Sequence, residues 1–186
     1  PRNCIASVLF VDIRGFTALT GQHEPQAWAA YLSQNYFSPM GEIIFRHHGT
    51  LDKHIGDCIM AIYGAPASAE DDARRAIRSA LEMRDQMAAI NAAADAAHQL
   101  PIGIGVHTGE VVAGMFGSAR KREYTALGHT VNLANRLQKI AASGQIIITQ
   151  ATRDAVGEGL VVEALPPTPV RGVADNMPLY NVVTLT

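Results

Sequence analysis

Hydrophobic and polar positions follow two rhythms along this chain. Ile5 to Asp12 (IASVLFVD) is an apolar run rich in branched residues that stops at a carboxylate and then Gly15, which predicts a buried strand followed by a turn. From Glu24 to His47 the period lengthens. Trp28, Tyr31, Leu32, Tyr36, Met40, Ile43 and Ile44 recur at spacings of three and four, predicting a helix bent or broken near Pro39. Gly49 to Ile55 and Cys58 to Tyr63 flank Gly56-Asp57, the signal of a hairpin with Lys53 and Asp57 near its tip. A second long helix is expected over Ser68 to Ala97, with Glu70, Asp71 and Asp72 in its first turn. Ile102 to His107 and Val111 to Phe116 read as a strand pair around Thr108-Gly109-Glu110, and Tyr124 to Leu127 continues the sheet. Thr130 to Ala141 gives a third helix, ended by Ser143-Gly144. Gln145 to Thr149 follows as a strand, Gln150 to Val156 as a short helix, and Leu160 to Leu165 and Leu179 to Val183 as two late strands.

The order strand, helix, hairpin, helix, strand is that of an α+β, ferredoxin-like split βαβ core. It implies an antiparallel sheet with helices on one face and additional C-terminal strands. Such a fold assigns no chemistry by itself. The 186 residues, 48% hydrophobic and 17% charged, suit a single domain over 1–186. The chain opens at Pro1 rather than Met, as expected of a domain excised from a longer protein, so any membrane anchor of that parent would lie outside this window. Fifteen Lys and Arg against 17 Asp and Glu leave a net charge of −2, without the basic excess that nucleic acid or an acidic membrane surface favours. No apolar run approaches the roughly 20 residues of a bilayer span, so no membrane contact is expected of this domain. With only Cys4 and Cys58, neither a disulfide framework nor a cysteine zinc cage is available, and a reducing, cytoplasmic setting fits.

Two carboxylates stand out. In the expected topology Asp12 ends the first strand and Asp57 lies in the hairpin turn of its neighbour, so the two converge. Paired carboxylates with little His or Cys around them suit Mg²⁺ or Mn²⁺ rather than zinc. On these residues alone a second reading stands beside it, with Asp12 capping the following turn and Asp57 an ordinary hairpin residue. Asn132 and Arg136, four apart on a predicted helix, share a face. His47, His48, His54, His107 and His129 form no His-x3-His pair sharing a helix with a carboxylate ligand and read as packing or surface residues. Cys58, on an apolar strand, reads as an inert core thiol.

Three segments carry longer motifs. Phe10-Val11-Asp12-Ile13-Arg14-Gly15-Phe16-Thr17 and Lys53-His54-Ile55-Gly56-Asp57 resemble the two metal-site motifs of class III nucleotidyl cyclases. Glu123 to Arg136 (EYTALGHTVNLANR) resembles the segment that holds that family's base-recognising and transition-state residues. The likeness runs from about Ala6 to Thr149, as separate motifs in the right order.

The resemblance implies that Asp12, Asp57 and the backbone carbonyl of Ile13 bind two Mg²⁺ or Mn²⁺ ions, with Arg14 facing solvent. It places Lys53 and Thr125 at the two purine-selecting positions. There a lysine donates to adenine N1 and a threonine hydroxyl accepts from the exocyclic amine. It places Asn132 on the ribose, Arg136 on the α-phosphate and Arg120 on the terminal phosphates. The expected activity is therefore that of an adenylate cyclase, converting ATP to 3′,5′-cyclic AMP and pyrophosphate for intracellular signalling. Thr125, where many relatives carry Asp, resembles the subclass associated with bicarbonate stimulation. In the family each site is shared between two cyclase domains, so a chain carrying both halves implies a homodimer with two shared sites.

Two alternatives are a guanylate cyclase, whose family members carry Glu and Cys or a similar pair at the base positions, and a non-catalytic regulatory or dimerisation module. The latter would be expected to have lost one of Asp12, Asp57, Asn132 or Arg136, and all four are present. One departure from the family pattern is Val173. It follows Val170-Arg171-Gly172 where a phosphate-binding Lys is usual.

Overall fold

A computed structural model describes residues 1–173 and 177–186. Strands β1 (Arg2–Ile13), β2 (Thr50–Ile55), β3 (Cys58–Tyr63) and β4 (Ile102–Gly117) lie in the order β2-β3-β1-β4, all antiparallel. The ferredoxin-like core is therefore present. Beyond β4 the sheet continues through β6 (Ile146–Thr149), β8 (Leu179–Leu185) and β7 (Leu160–Ala164), while β5 (Arg122–Leu127) pairs with the far half of β4. The β4–β6 pairing is parallel, so the sheet is mixed rather than wholly antiparallel.

The strand pair expected around Thr108-Gly109-Glu110 is instead one continuous strand. β4 pairs with β1 without a break from Ile102 opposite Ile13 to Ala113 opposite Arg2, with Gly109 opposite Ala6. Gly109 serves close packing there. A Cβ at that position would lie 2.6 Å from Thr130 Oγ1 of helix α5 (His129–Ile140).

The helices divide between the two faces of the sheet, against the expectation of a single helical face. Leu9, Val11 and Ile13 of β1 pack with helices α2 (Pro25–Leu32), α3 (Ser38–Arg46) and α4 (Asp72–Ala93) and the turn between α2 and α3, through Trp28, Tyr36, Ile43, Ile77 and Met83, and the short helix α1 (Phe16–Thr20) adds Phe16 and Leu19 to the same cluster. Val8 and Phe10, on the alternate positions, pack with Ala126 of β5 and Ala134 of α5. Because both faces are covered, Ala6 to Val11 is buried continuously, and this is why β1 reads as an unbroken apolar run.

The helix expected from Glu24 to His47 is continuous in space but widens into a π-turn over Ser33–Phe37. Pro39, with no N–H to donate, sits in the first turn of α3 just beyond it. Helix α4 begins at Asp72, not Ser68. The Asp72 carboxylate accepts from Ala69 N at 3.1 Å and Ser68 Oγ at 3.3 Å, holding Ser68–Asp71 as a turn ahead of the helix. The helix ends at Ala93, and Asp95 caps a separate short turn over Ala96–His98. The remaining predicted elements, including α6 (Gln150–Val156), fall within a few residues of their expected bounds. Among the described residues, no helix is long and apolar enough to cross a membrane.

Helix α5 carries Asn132 and Arg136, and its seat on β4 fixes where that pair lies. A Cβ on Gly105 would lie 2.4 Å from Gln138 N and 2.6 Å from Ala134 O, both helix backbone atoms that cannot swing aside. Gly105→Ala is expected to lower stability by about 1 to 3 kcal/mol by forcing α5 off the sheet. The check is the midpoint of denaturant unfolding, and an unchanged midpoint would mean that the helix is not seated this closely.

Candidate active site

The end of β1 and the β2–β3 turn form one centre. Asp12 is the penultimate residue of β1, and Asp57 lies in the turn leading into β3, which pairs with β1 at Val11 opposite Ile59. The Ile13 amide donates to Asp57 Oδ2 at 2.9 Å, fixing that carboxylate beside Asp12. Behind it the fully buried Tyr36 places its hydroxyl 2.6 Å from the Asp57 carbonyl and 3.2 Å from the Val11 carbonyl. Tyr36 therefore ties both sides of the centre to the helical layer. It lies in the π-turn, a distortion that often marks a functional position.

Burial is the main cause that pushes the Asp12 carboxyl up to about 7, followed by its hydrogen bond with Asp57 and the negative charge of that neighbour. Arg14 and Gln138 pull in the opposite direction. Burial and the same two carboxylates push the Cys58 thiol up to about 12, which keeps it protonated and unreactive. Two carboxyl groups held side by side form an oxygen donor set. Among the described residues no cluster of three His, Cys, Asp or Glu completes a ligand cage, so remaining positions would fall to the Ile13 carbonyl, water or substrate oxygens. That set fits a hard divalent cation and does not fit a structural zinc.

Arg14 does not face solvent. Its guanidinium lies over Gly103, 3.9 Å from Asp12 Oδ1, and donates to the Gln138 and Ala141 carbonyls and to the Gln138 side chain at the C-terminal end of α5. A cation is well placed against the negative end of a helix. Arg14 thereby joins the carboxylate centre to the helix that carries Asn132 and Arg136.

Lys53 and Thr125 meet at a second place. They line an open cleft of about 360 Å³ with Phe116, Gly117, Lys121 and Glu123. The Thr125 hydroxyl donates to Asp52 Oδ2 at 2.5 Å, and Lys53 Nζ stands 3.5 Å from Asp52 Oδ1. Arg120 is exposed in the loop between β4 and β5 and does not line this cleft, whereas Lys121 does.

A third group lies along α5. The exposed Asn132 and half-buried Arg136 line a cleft of about 580 Å³ with Asn135, Lys139, Val170 and Arg171. Gly172 gives Arg136 its place, because a Cβ there would lie 2.3 Å from Arg136 Nη1. Val173 packs against the cluster of Leu133 and Leu137 and offers no charge. Arg171 and Lys139 are the other cations lining this cleft. Thus the Lys53–Thr125 pair and the Asn132–Arg136 pair line different clefts, and Asp12 and Asp57 line neither.

The family model described as "Adenylate and Guanylate cyclase catalytic domain" matches residues 2–184. The chain belongs to this family. The cyclase domain is similar in structure to the adenylyl cyclase CyaB of P. aeruginosa, with a TM-score of 0.91 and 31% identity over 100% of this chain and 96% of that one. It is likewise similar to the guanylyl cyclase Cya2, with a TM-score of 0.88 and 32% identity over 100% of this chain and 94% of that one. Among sequences, Adenylate cyclase 1 of Rhizobium meliloti is 32% identical over 151 residues, 76% of this chain. The chain spans only 23% of that relative's length. Domains of this family generally use divalent metal ions, in keeping with the carboxylate centre.

Tyr36, Asp52 and the inward Arg14 were not legible as site residues. Tyr36 is masked by the apolar period of its helix, while Asp52 is one polar residue among several in β2 (TLDKHI), where an acid beside Lys53 does not stand out.

The carboxylate pair gives a sign-definite test. Because folded Asp12 holds its proton up to about 7 while its unfolded value is 3.8, the metal-free fold loses stability through this group as pH rises between those values. A divalent cation that binds the ionised pair should therefore raise Tm by several degrees at about pH 8 and little at about pH 5.5. Asp12→Asn should abolish that difference. A Mg²⁺ or Mn²⁺ shift independent of pH, or retained in the variant, would remove the pair as the cation site.

Proposed function

We propose that this domain is an adenylate cyclase, converting ATP to 3′,5′-cyclic AMP and pyrophosphate at two sites shared across a homodimer. The observation that carries the nucleotide choice is that Lys53 and Thr125 line one cleft with Phe116. An ammonium only donates and suits adenine N1, while a hydroxyl can accept from the exocyclic amine. Guanine presents the reverse pattern, an N1–H donor and an O6 acceptor, and would call for an acceptor where Lys53 stands.

The reaction needs no protein nucleophile. The ribose 3′ oxygen attacks the α-phosphorus, the bond to the β-phosphate oxygen breaks, pyrophosphate leaves, and the 3′ hydroxyl proton passes to solvent. When bound, two Mg²⁺ or Mn²⁺ ions supply activation of the 3′ hydroxyl and neutralisation of phosphoryl charge. Asp12, Asp57 and the Ile13 carbonyl would hold them. Asn132 orients the ribose, and Arg136 neutralises charge that develops on the α-phosphate. Arg120 is the candidate for the terminal phosphates from its exposed loop. Arg171 and Lys139, beside Arg136, supply positive charge that Val173 does not.

The division into clefts supports the shared site. A head-to-tail pair related by a twofold axis would set the carboxylate centre of one protomer against the Asn132–Arg136 cleft of the other, twice over. The exposed Val112, Met115 and Leu127 of the β4–β5 ribbon provide apolar surface for such a contact.

The guanylate reading has its own support, the 32% identity to a guanylyl cyclase over the whole chain. Incubating the chain with equal ATP and GTP and excess Mn²⁺, and resolving the products, separates the two. Cyclic AMP is expected as the main product. Predominant cyclic GMP, or no cyclic product at high protein concentration, would overturn the adenylate reading.

A further inference from the structure

Asp52 takes part in none of the roles described so far, yet its position is unusual. Its side chain is 1% exposed, although it sits on β2 at the edge of the sheet. The cause is a bulge. Leu51 pairs with Ala61 and Lys53 with Met60, so Asp52 is an extra residue with no partner across the ladder. In a regular strand, neighbouring side chains point to opposite faces. A bulge re-aims one of them, and here the Asp52 carboxylate and Lys53 ammonium come within 3.5 Å.

The buried carboxylate touches both groups of the base cleft. Oδ2 accepts the Thr125 hydroxyl at 2.5 Å. Oδ1 accepts no hydrogen bond among the described residues and faces Lys53 Nζ. A carboxylate only accepts, whereas a hydroxyl has one proton and two lone pairs. Once the Thr125 proton is committed to Asp52, the hydroxyl can present only lone pairs to the cleft. It then accepts from a 6-amino group and repels a 6-oxo group.

We propose that Asp52 is a positioning residue for nucleobase choice: it fixes the Thr125 hydroxyl as an acceptor and holds Lys53 as the adjacent donor, so that the cleft selects a 6-aminopurine. This deepens the adenylate reading and rests on it. Asp52 itself need not touch the nucleotide.

The decisive variant is Asp52→Asn, which keeps size and shape. Lys53 can only donate, so the amide oxygen turns to Lys53 and the amide nitrogen donates to Thr125, reversing the polarity of the hydroxyl. The ATP over GTP ratio in kcat/KM should fall at least about 10-fold, the scale of one mismatched buried hydrogen bond. Thr125→Val should also reduce the ratio, and adding Asp52→Asn to it should change the ratio far less than Asp52→Asn does alone, because only the contact with Lys53 is left to transmit an effect. A merely structural Asp52 would lower ATP and GTP turnover by one common factor, and that result overturns the proposal.

Should Asp52→Asn fail to fold, the unaltered protein still decides. Turnover should run in the order ATP, then purine riboside triphosphate with no 6-substituent, then inosine triphosphate with its 6-oxo group. Equal turnover of the first two overturns the assignment. A preference of the unaltered protein for GTP would remove the adenylate reading beneath it. An ATP preference that survives Asp52→Asn unchanged removes only the role of Asp52.

Discussion

Two carboxylates forced together at one end of the sheet are the constraint on which the site depends. Asp12 and Asp57 lie 45 positions apart in the chain, yet the antiparallel pairing of β1 with β3 leaves them side by side. Partial burial first, and then the hydrogen bond and negative charge of Asp57, push the Asp12 carboxyl up to about 7. The fold holds the pair in place through groups that are not themselves ligands. Tyr36 fastens the Asp57 backbone from one face of the sheet, and Arg14 links Asp12 to the end of α5 on the other. A centre built this way is pre-shaped for a cation, because the cost of assembling like charges is met by burying Leu9, Val11, Ile59 and their helical partners.

The same packing sets where the remaining chemistry can lie. Glycines at 103, 105 and 109 bring α5 or Arg14 directly against β4, so the helix that bears Asn132 and Arg136 has little freedom to shift. Asn132 and Arg136 nevertheless open onto their own cleft rather than onto Asp12 and Asp57. If these are the catalytic groups, as proposed, their division between separate places on one chain calls for a second copy to complete the site.

Much of this was legible in the sequence because its periodicities are strong. The buried run of β1, the Gly56-Asp57 hairpin and the spacing along α5 each follow from local pattern, and the motifs around Asp12, Asp57 and Arg136 carry the family likeness. What escaped is what depends on approach between distant elements. Gly109 carries the sequence signal of a turn but is a gap cut for α5, so one long strand has the local pattern of two. The placement of helices on both faces hides in the doubly buried β1, whose continuous apolar run reads the same under one helical layer as under two. Arg14 looked like a surface charge because its acceptors, the carbonyls of residues 138 and 141, lie far along the chain. Asp52 is buried by a bulge, and no residue pattern announced that irregularity.

In the proposed dimer, one active site takes its carboxylates from one protomer and its Asn and Arg from the other. Mixing Asp57→Ala protein with Asn132→Ala protein, each inactive alone, tests this most directly. In a mixed dimer one of the two sites keeps every native group, so cyclase activity should return, approaching about a quarter of the native specific activity at equal mixing and random pairing. Absence of any recovery, with mixed dimers demonstrated in the same sample, would contradict the shared site.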